Sequence, residues 1–159
     1  NELQLNFKPA SDAWSVAECL SHLIVTEKLY AKMLHDIAND KYQKKFLEKF
    51  GFLSKFWGKM LLSFGETHNY RKVKTTSAFI SNQSHFTTEI LEDFLASQKN
   101  WHDRIEKVKE SQLEIVVTSP ALGIMTYSFG NLLTTMGNHM WRHLYQAERV
   151  KQNENFPKN

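Results

Sequence analysis

The chain has 159 residues, 42% of them hydrophobic and 23% charged, with a formal net charge of +3 and a mean hydropathy of −0.47. That length suits one substantial core, so a single domain over residues 1–159 is expected, and no apolar run approaches the length of a membrane span. One cysteine, Cys19, permits no internal disulfide and fits a reducing compartment; with nothing that resembles a signal peptide, the expected location is cytoplasmic, although the chain opens on Asn1 rather than Met.

Trp14-Ser15 opens the first predicted helix. Ser15 and Glu18 have the spacing of a capping box. Val16, Leu20, Leu23, Glu27, Tyr30, Leu34 and Ile37 then form one stripe down to about Ala38, and Asn39-Asp40 ends it. Cys19 lies early in this helix beside apolar neighbours, where a packed thiol and a reactive one are both open readings.

A second helix is expected over roughly 42–64, with Gly51 and Gly58 as weak points or bends. Phe46, Phe50, Leu53, Trp57, Leu61 and Phe64 recur at steps of four, three, four, four and three, the stripe of a buried helix face. The same region is basic: residues 41–74 hold nine Lys or Arg against Glu48 and Glu66, while the rest of the chain holds eleven basic against fifteen acidic residues. Basic residues interleaved with aromatics suit nucleic acid or an anionic membrane surface. The aromatic spacing favours a buried stripe instead, with Lys44, Lys45, Lys49, Lys55 and Lys59 mostly on a solvated face. No membrane partner is therefore expected, and nucleic acid is not favoured.

The polar stretch through Asn82 has no assignable pattern. A third helix is expected from near Ser84 to about Lys109, with Ile90, Phe94, Trp101, Ile105 and Val108 turned inward. Leu113 to Val117 is a short extended run that Pro120 closes, and Ala121-Leu122-Gly123 reads as a turn. The fourth helix runs from near Thr126 to near Lys151. One extended run is too little for a sheet, so the expected fold class is all-α, a four-helix bundle.

The last helix carries the chemistry. Its stripe reads Phe129, Leu132, Leu133, Met136, His139, Met140, His143, Leu144, Ala147 and Val150, so two imidazoles stand where Leu would pack. Residues four apart on a helix are neighbours, and both rings can reach one point in front of the face. A buried imidazole needs a partner, and a divalent metal would satisfy both at once. The competing reading is a pair of core histidines hydrogen-bonded to side chains or water. The spacing is not the zincin motif, because Met140 stands where that motif has its Glu. His22 on the first helix is a third candidate ligand, and three imidazoles with an open fourth position would suit a catalytic metal. Gln146 continues the polar face, to orient a ligand or a water or to bond between helices. His102 could line the pocket or lie at the surface; His35, His68 and His85 read as exposed, and Arg142 and Arg149 as surface or capping residues.

Three segments resemble the DinB/YfiT-like superfamily. Residues Trp14-Ser15-Val16-Ala17-Glu18-Cys19-Leu20-Ser21-His22-Leu23 resemble its W-S-x-x-E-x-x-x-H-L signature. Residues 120–126 resemble its turn into the last helix, and His139-Met140-Trp141-Arg142-His143-Leu144-Tyr145-Gln146 resemble its H-x-x-R-H-x-x-Q helix. The likeness runs from about residue 8 to 151. It implies a four-helix bundle with a divalent metal, zinc or nickel, held between helices by His22, His139 and His143; imidazole ligands do not choose between the two metals. Family members include transferases and isomerases that use low-molecular-weight thiols such as bacillithiol or mycothiol. Relatives usually carry a full helix before the Trp-Ser signature, where only Asn1 to Asp12 precede it here; either that helix lies in a removed segment or the 42–64 helix completes the bundle.

The expected function is a metal-dependent enzyme acting on a small molecule, either a thiol-dependent S-transferase or a hydrolase. No general base is identified; Glu27, on the apolar stripe beyond His22, is a candidate, and a polar group aimed at a neighbouring helix accounts for it equally well. The alternatives are a non-catalytic metal-binding bundle and an interaction module using the basic 41–74 surface. A homodimer stays open.

Overall fold

The computed structural model describes residues 1–65, 76–80 and 83–158. In chain order they form helices α1 (Glu2–Asn6), α2 (Val16–Ala38), α3 (Gly51–Gly65) and α4 (Glu89–Ile105), strands β1 (Val116–Thr118) and β2 (Thr126–Ser128), and helix α5 (Phe129–Lys151). Glu66, His68, Arg71, Lys72, Lys74 and the side chain of Phe64 lie outside the described residues. The fold is all-α apart from a two-stranded hairpin, and α2, α3, α4 and α5 are the four long helices described.

α2 starts where its sequence predicts. The Ser15 hydroxyl accepts from the Glu18 N–H at 3.1 Å while the Glu18 carboxylate accepts from the Ser15 N–H at 2.8 Å. This reciprocal cap satisfies two backbone donors that the first turn would leave unpaired. From there α2 is the central helix, packing against both α4 and α5. Its first half buries Ala17, Leu20 and Ile24 with Leu5, Phe86 and Ile90; its second half buries Tyr30, Met33, Leu34 and Ile37 with Val117, Met125, Tyr127, Phe129 and Leu132. Each large apolar side chain fully buried in these clusters contributes about 1.5–3 kcal/mol. Phe129 and Leu132 at the start of α5 join the cluster at the end of α2, and Leu144 further along α5 packs on the cluster at the start of α2. The two helices therefore run antiparallel, which brings the middle of α2 opposite the middle of α5.

The second helix is shorter than its aromatic stripe suggests. Residues Phe46–Lys49 form a 3-10 turn, and α3 begins at Gly51. Glu48 sets this arrangement: its buried carboxylate accepts from Tyr42 Oη, the Lys45 N–H and Thr118 Oγ1, each at 2.7 Å. With Glu48 turned inward, Phe46 turns out and is 70% exposed, and Phe50 is 39% exposed. Leu53, Trp57 and Leu61 are half-buried, as the stripe predicts in part. Gly58 is a close-approach position. A Cβ there would stand 2.6 Å from Asn131 Nδ2, and this proximity is what lets α3 lie against α5 and β2.

Three further expectations are corrected. The extended run pairs after all: β1 and β2 form an antiparallel ladder with Val116 opposite Ser128, Val117 opposite Tyr127 and Thr118 opposite Thr126. Thr126 therefore belongs to a strand, and α5 starts at Phe129 with Ser128 as its cap, accepting from the Asn131 N–H at 3.2 Å. Gly123 takes the positive φ of 52° that the connecting turn requires. The third helix is also trimmed at both ends to Glu89–Ile105. Its expected start is held elsewhere, since the Asn6 side chain pairs with both the N–H and the carbonyl of Phe86, at 2.8 and 2.7 Å.

Candidate metal centre

Between its two apolar halves the inner side of α2 turns polar, with His22, Thr26 and Glu27 all buried. His22 Nδ1 lies 2.7 Å from the carbonyl oxygen of Phe79. A carbonyl only accepts, so Nδ1 carries the proton and Nε2 presents its lone pair. That lone pair points at α5, where His139 and His143 share one face. His22 Nε2 is 3.0 Å from His139 Nε2, which is 3.2 Å from His143 Nε2. One ligand nitrogen from each ring lies within 4.8 Å of the other two.

Burial lowers the pKa of all three histidines. For His139 it is lowered to about 3, by burial first and then by His22 and Arg142; for His143 to about 2, by burial and then by His139, His22 and Arg142, with Gln146 acting the other way. His22 is lowered by burial against its hydrogen bond to Phe79. The site is thus a group of neutral imidazoles. Because His22 Nε2 has no proton, a single proton on His139 can serve only one of its two close contacts, and the arrangement leaves a lone pair facing a nitrogen. A cation in front of all three removes that conflict. Two nitrogens each about 2.0–2.1 Å from one tetrahedral zinc ion stand about 3.3–3.4 Å apart, and the 3.0 and 3.2 Å separations from His139 to its two neighbours are a few tenths of an ångström shorter. The Nδ1 atoms of His139 and His143 are buried without a close hydrogen-bond partner, although the Gln146 side chain lies near enough to His143 to act on it.

Trp14 closes one side of the group. Its ring stacks on His143 with centroids 5.4 Å apart and planes at 17°, and meets His22 edge-on at 4.9 Å. Two small recesses flank the histidines. One lies beside Trp14, Ser21, His22, Phe79 and Phe86; the other has His139, Met136, Met140 and Trp101 on its walls with Glu27 and Gln98.

A family model for the DinB superfamily matches residues 1–147. The chain belongs to the DinB superfamily. No curated protein and no solved structure matches it. DinB-superfamily proteins typically bind metal, and in this DinB chain His22, His139 and His143 form a group that can hold a divalent ion.

The other histidines among the described residues lie away from this group. His35, His85 and His102 are exposed. His102 with Asp103 and Glu106 makes a second cluster of potential ligand atoms, but all three residues are on the surface. Cys19 is fully buried, and its thiol is pushed up to about 12 by burial first and by Glu18 second, so it packs and does not react near neutral pH. Sequence reasoning passed over two contributors. The Trp-Ser motif alone does not mark Trp14 as a cover on the rings; its place immediately before the cap of the His22 helix is the available signal. The Phe79 carbonyl had none, being a backbone group on a segment with no pattern. No helix among the described residues is long and apolar enough to cross a membrane.

Proposed function

We propose that His22, His139 and His143 are the three protein ligands of one divalent metal, and that this DinB protein is a metal-dependent enzyme acting on a small molecule. The observation that carries the reading is the convergence of three neutral Nε2 atoms from two helices, with the tautomer of His22 already set for ligation. A divalent ion held there supplies positive charge that lowers the pKa of a thiol or water on its open side. The chain's own residues do the rest. Phe79 holds the His22 ring in orientation, Trp14 restrains His22 and His143, and Leu23, Met136 and Met140 line the recess beside His139 with apolar groups.

Thiol-dependent S-transfer is favoured over hydrolysis because of the sequence resemblance to thiol-using members, and a low-molecular-weight thiol is then the second substrate. Imidazole ligands accept zinc or nickel alike. A cytoplasmic location belongs to the same proposal and agrees with a single, buried, unpaired cysteine. The test is a screen of the metal-loaded protein with common cellular thiols and electrophilic acceptors. Turnover that needs the thiol supports transfer. Thiol-independent turnover makes the protein a hydrolase, and none at all leaves a metal-bearing bundle without catalysis.

A second reading has its own observation. Phe46, Phe52 and Phe56 are 70, 70 and 63% exposed, among the exposed Lys44, Lys45, Lys49, Lys55 and Lys59, while the carboxylate of Glu48 is turned inside. Such a surface suits an anionic partner. Binding to anionic vesicles or nucleic acid that weakens steeply with salt would support an interaction module; no binding at low salt would remove it.

A further inference from the structure

Glu27 is the buried carboxyl that the metal centre leaves unused. It lies on α2 between the two apolar clusters and is 6% exposed. The Ser97 hydroxyl donates to Oε2 and Gln98 Nε2 donates to Oε1 at 2.6 Å. Among the described residues no Lys, Arg or His forms an ion pair with it. An ionised carboxylate offers about four acceptor positions, so these two donors leave acceptor capacity on both oxygens. Burial raises its pKa against the two hydrogen bonds. A buried carboxylate without a cation is costly, and neutral donors offset that cost only in part.

The group is not sealed in the core. Glu27 lines the same recess as His139, together with Gln98 and the apolar side chains of Leu23, Trp101, Met136 and Met140. A polar group in an apolar recess beside a reacting centre is the common form of a specificity subsite.

We propose that this recess is a subsite for a primary ammonium group, so that the small-molecule substrate carries an amine at one end and its reacting atom at the other. Three features select that chemistry. The cation supplies the charge Glu27 lacks, its N–H groups meet the unused acceptor positions, and an indole with two thioethers suits a small cation screened from water. A quaternary ammonium has the charge but no N–H to donate, and is excluded. The inference rests on the metal reading only in placing the reacting end toward the histidines; the subsite itself needs no metal.

The test is therefore made on the metal-free protein, with methylammonium and tetramethylammonium as probes, followed by NMR of the Trp101 indole and of the Glu27 carboxyl carbon. Saturable methylammonium binding that perturbs both signals is expected, weakened about tenfold or more in Glu27→Gln, with tetramethylammonium giving no saturation. Equal binding to the Gln variant, equal binding of both probes, or no methylammonium binding would overturn the proposal. The carboxyl signal of the unmutated protein gives the answer even where the Gln variant fails to fold. Failure here leaves the histidine assignment intact, and loss of metal binding elsewhere leaves this result standing.

Discussion

His22 donates its Nδ1 proton to the carbonyl oxygen of Phe79 across 2.7 Å, and this contact determines which nitrogen faces helix α5. In the metal-free protein the His22 ring is therefore expected as the Nδ1–H tautomer. The 15N shifts of its two ring nitrogens report this directly. Protonation at Nε2 would mean that the Phe79 contact does not hold the ring, and that the His22 ring is not preorganised for ligation.

The metal-free protein should lose stability as the pH falls below about 6.5, the ordinary histidine value. The sign follows from the lowered values in the folded state. Below about 6.5 the unfolded chain takes up protons on His22, His139 and His143 that the folded chain refuses, so the folded state is progressively disfavoured down toward the folded values of about 3 and 2 for His139 and His143. Each of those two histidines contributes on the order of 1 kcal/mol per pH unit in that window. Urea midpoints between pH 7.5 and 5 in the presence of a chelator measure the slope. It should flatten when His143 is replaced by Gln; an unchanged slope would place the acid sensitivity elsewhere.

Glu48 is expected to stabilise without touching the metal. Its carboxylate receives Tyr42, Lys45 and Thr118, and Glu48→Ala leaves three donors without their acceptor. A loss of about 2–4 kcal/mol should follow in urea unfolding, with metal content unchanged. A neutral outcome would show that water replaces the carboxylate at no cost.

The same residue explains what the sequence hid. The Phe46 to Phe64 spacing is that of a buried helix face, but one glutamate with three inward partners outweighs the stripe and turns Phe46 to solvent. The hairpin was hidden for a different reason: strands of three residues carry too few alternations to show a period. By contrast, the Ser15–Glu18 cap was local and therefore legible, and it fixed the phase of the helix that presents His22. The i,i+4 histidine pair was legible for the same reason. That His22 meets that pair came from family resemblance and the antiparallel packing of α2 on α5, not from spacing. Contacts made by backbone on remote segments, such as the Phe79 carbonyl, leave no trace in residue types.

The most direct test is the metal stoichiometry of purified protein, loaded and then dialysed, for the unmutated chain and for His143→Ala. One divalent ion per chain is expected for the former, raising the unfolding temperature by several degrees at about 100-fold excess over Kd. The variant should fold, as circular dichroism can verify, and retain no stoichiometric metal. Full occupancy in that variant, or none in the unmutated chain, would contradict the three-histidine centre.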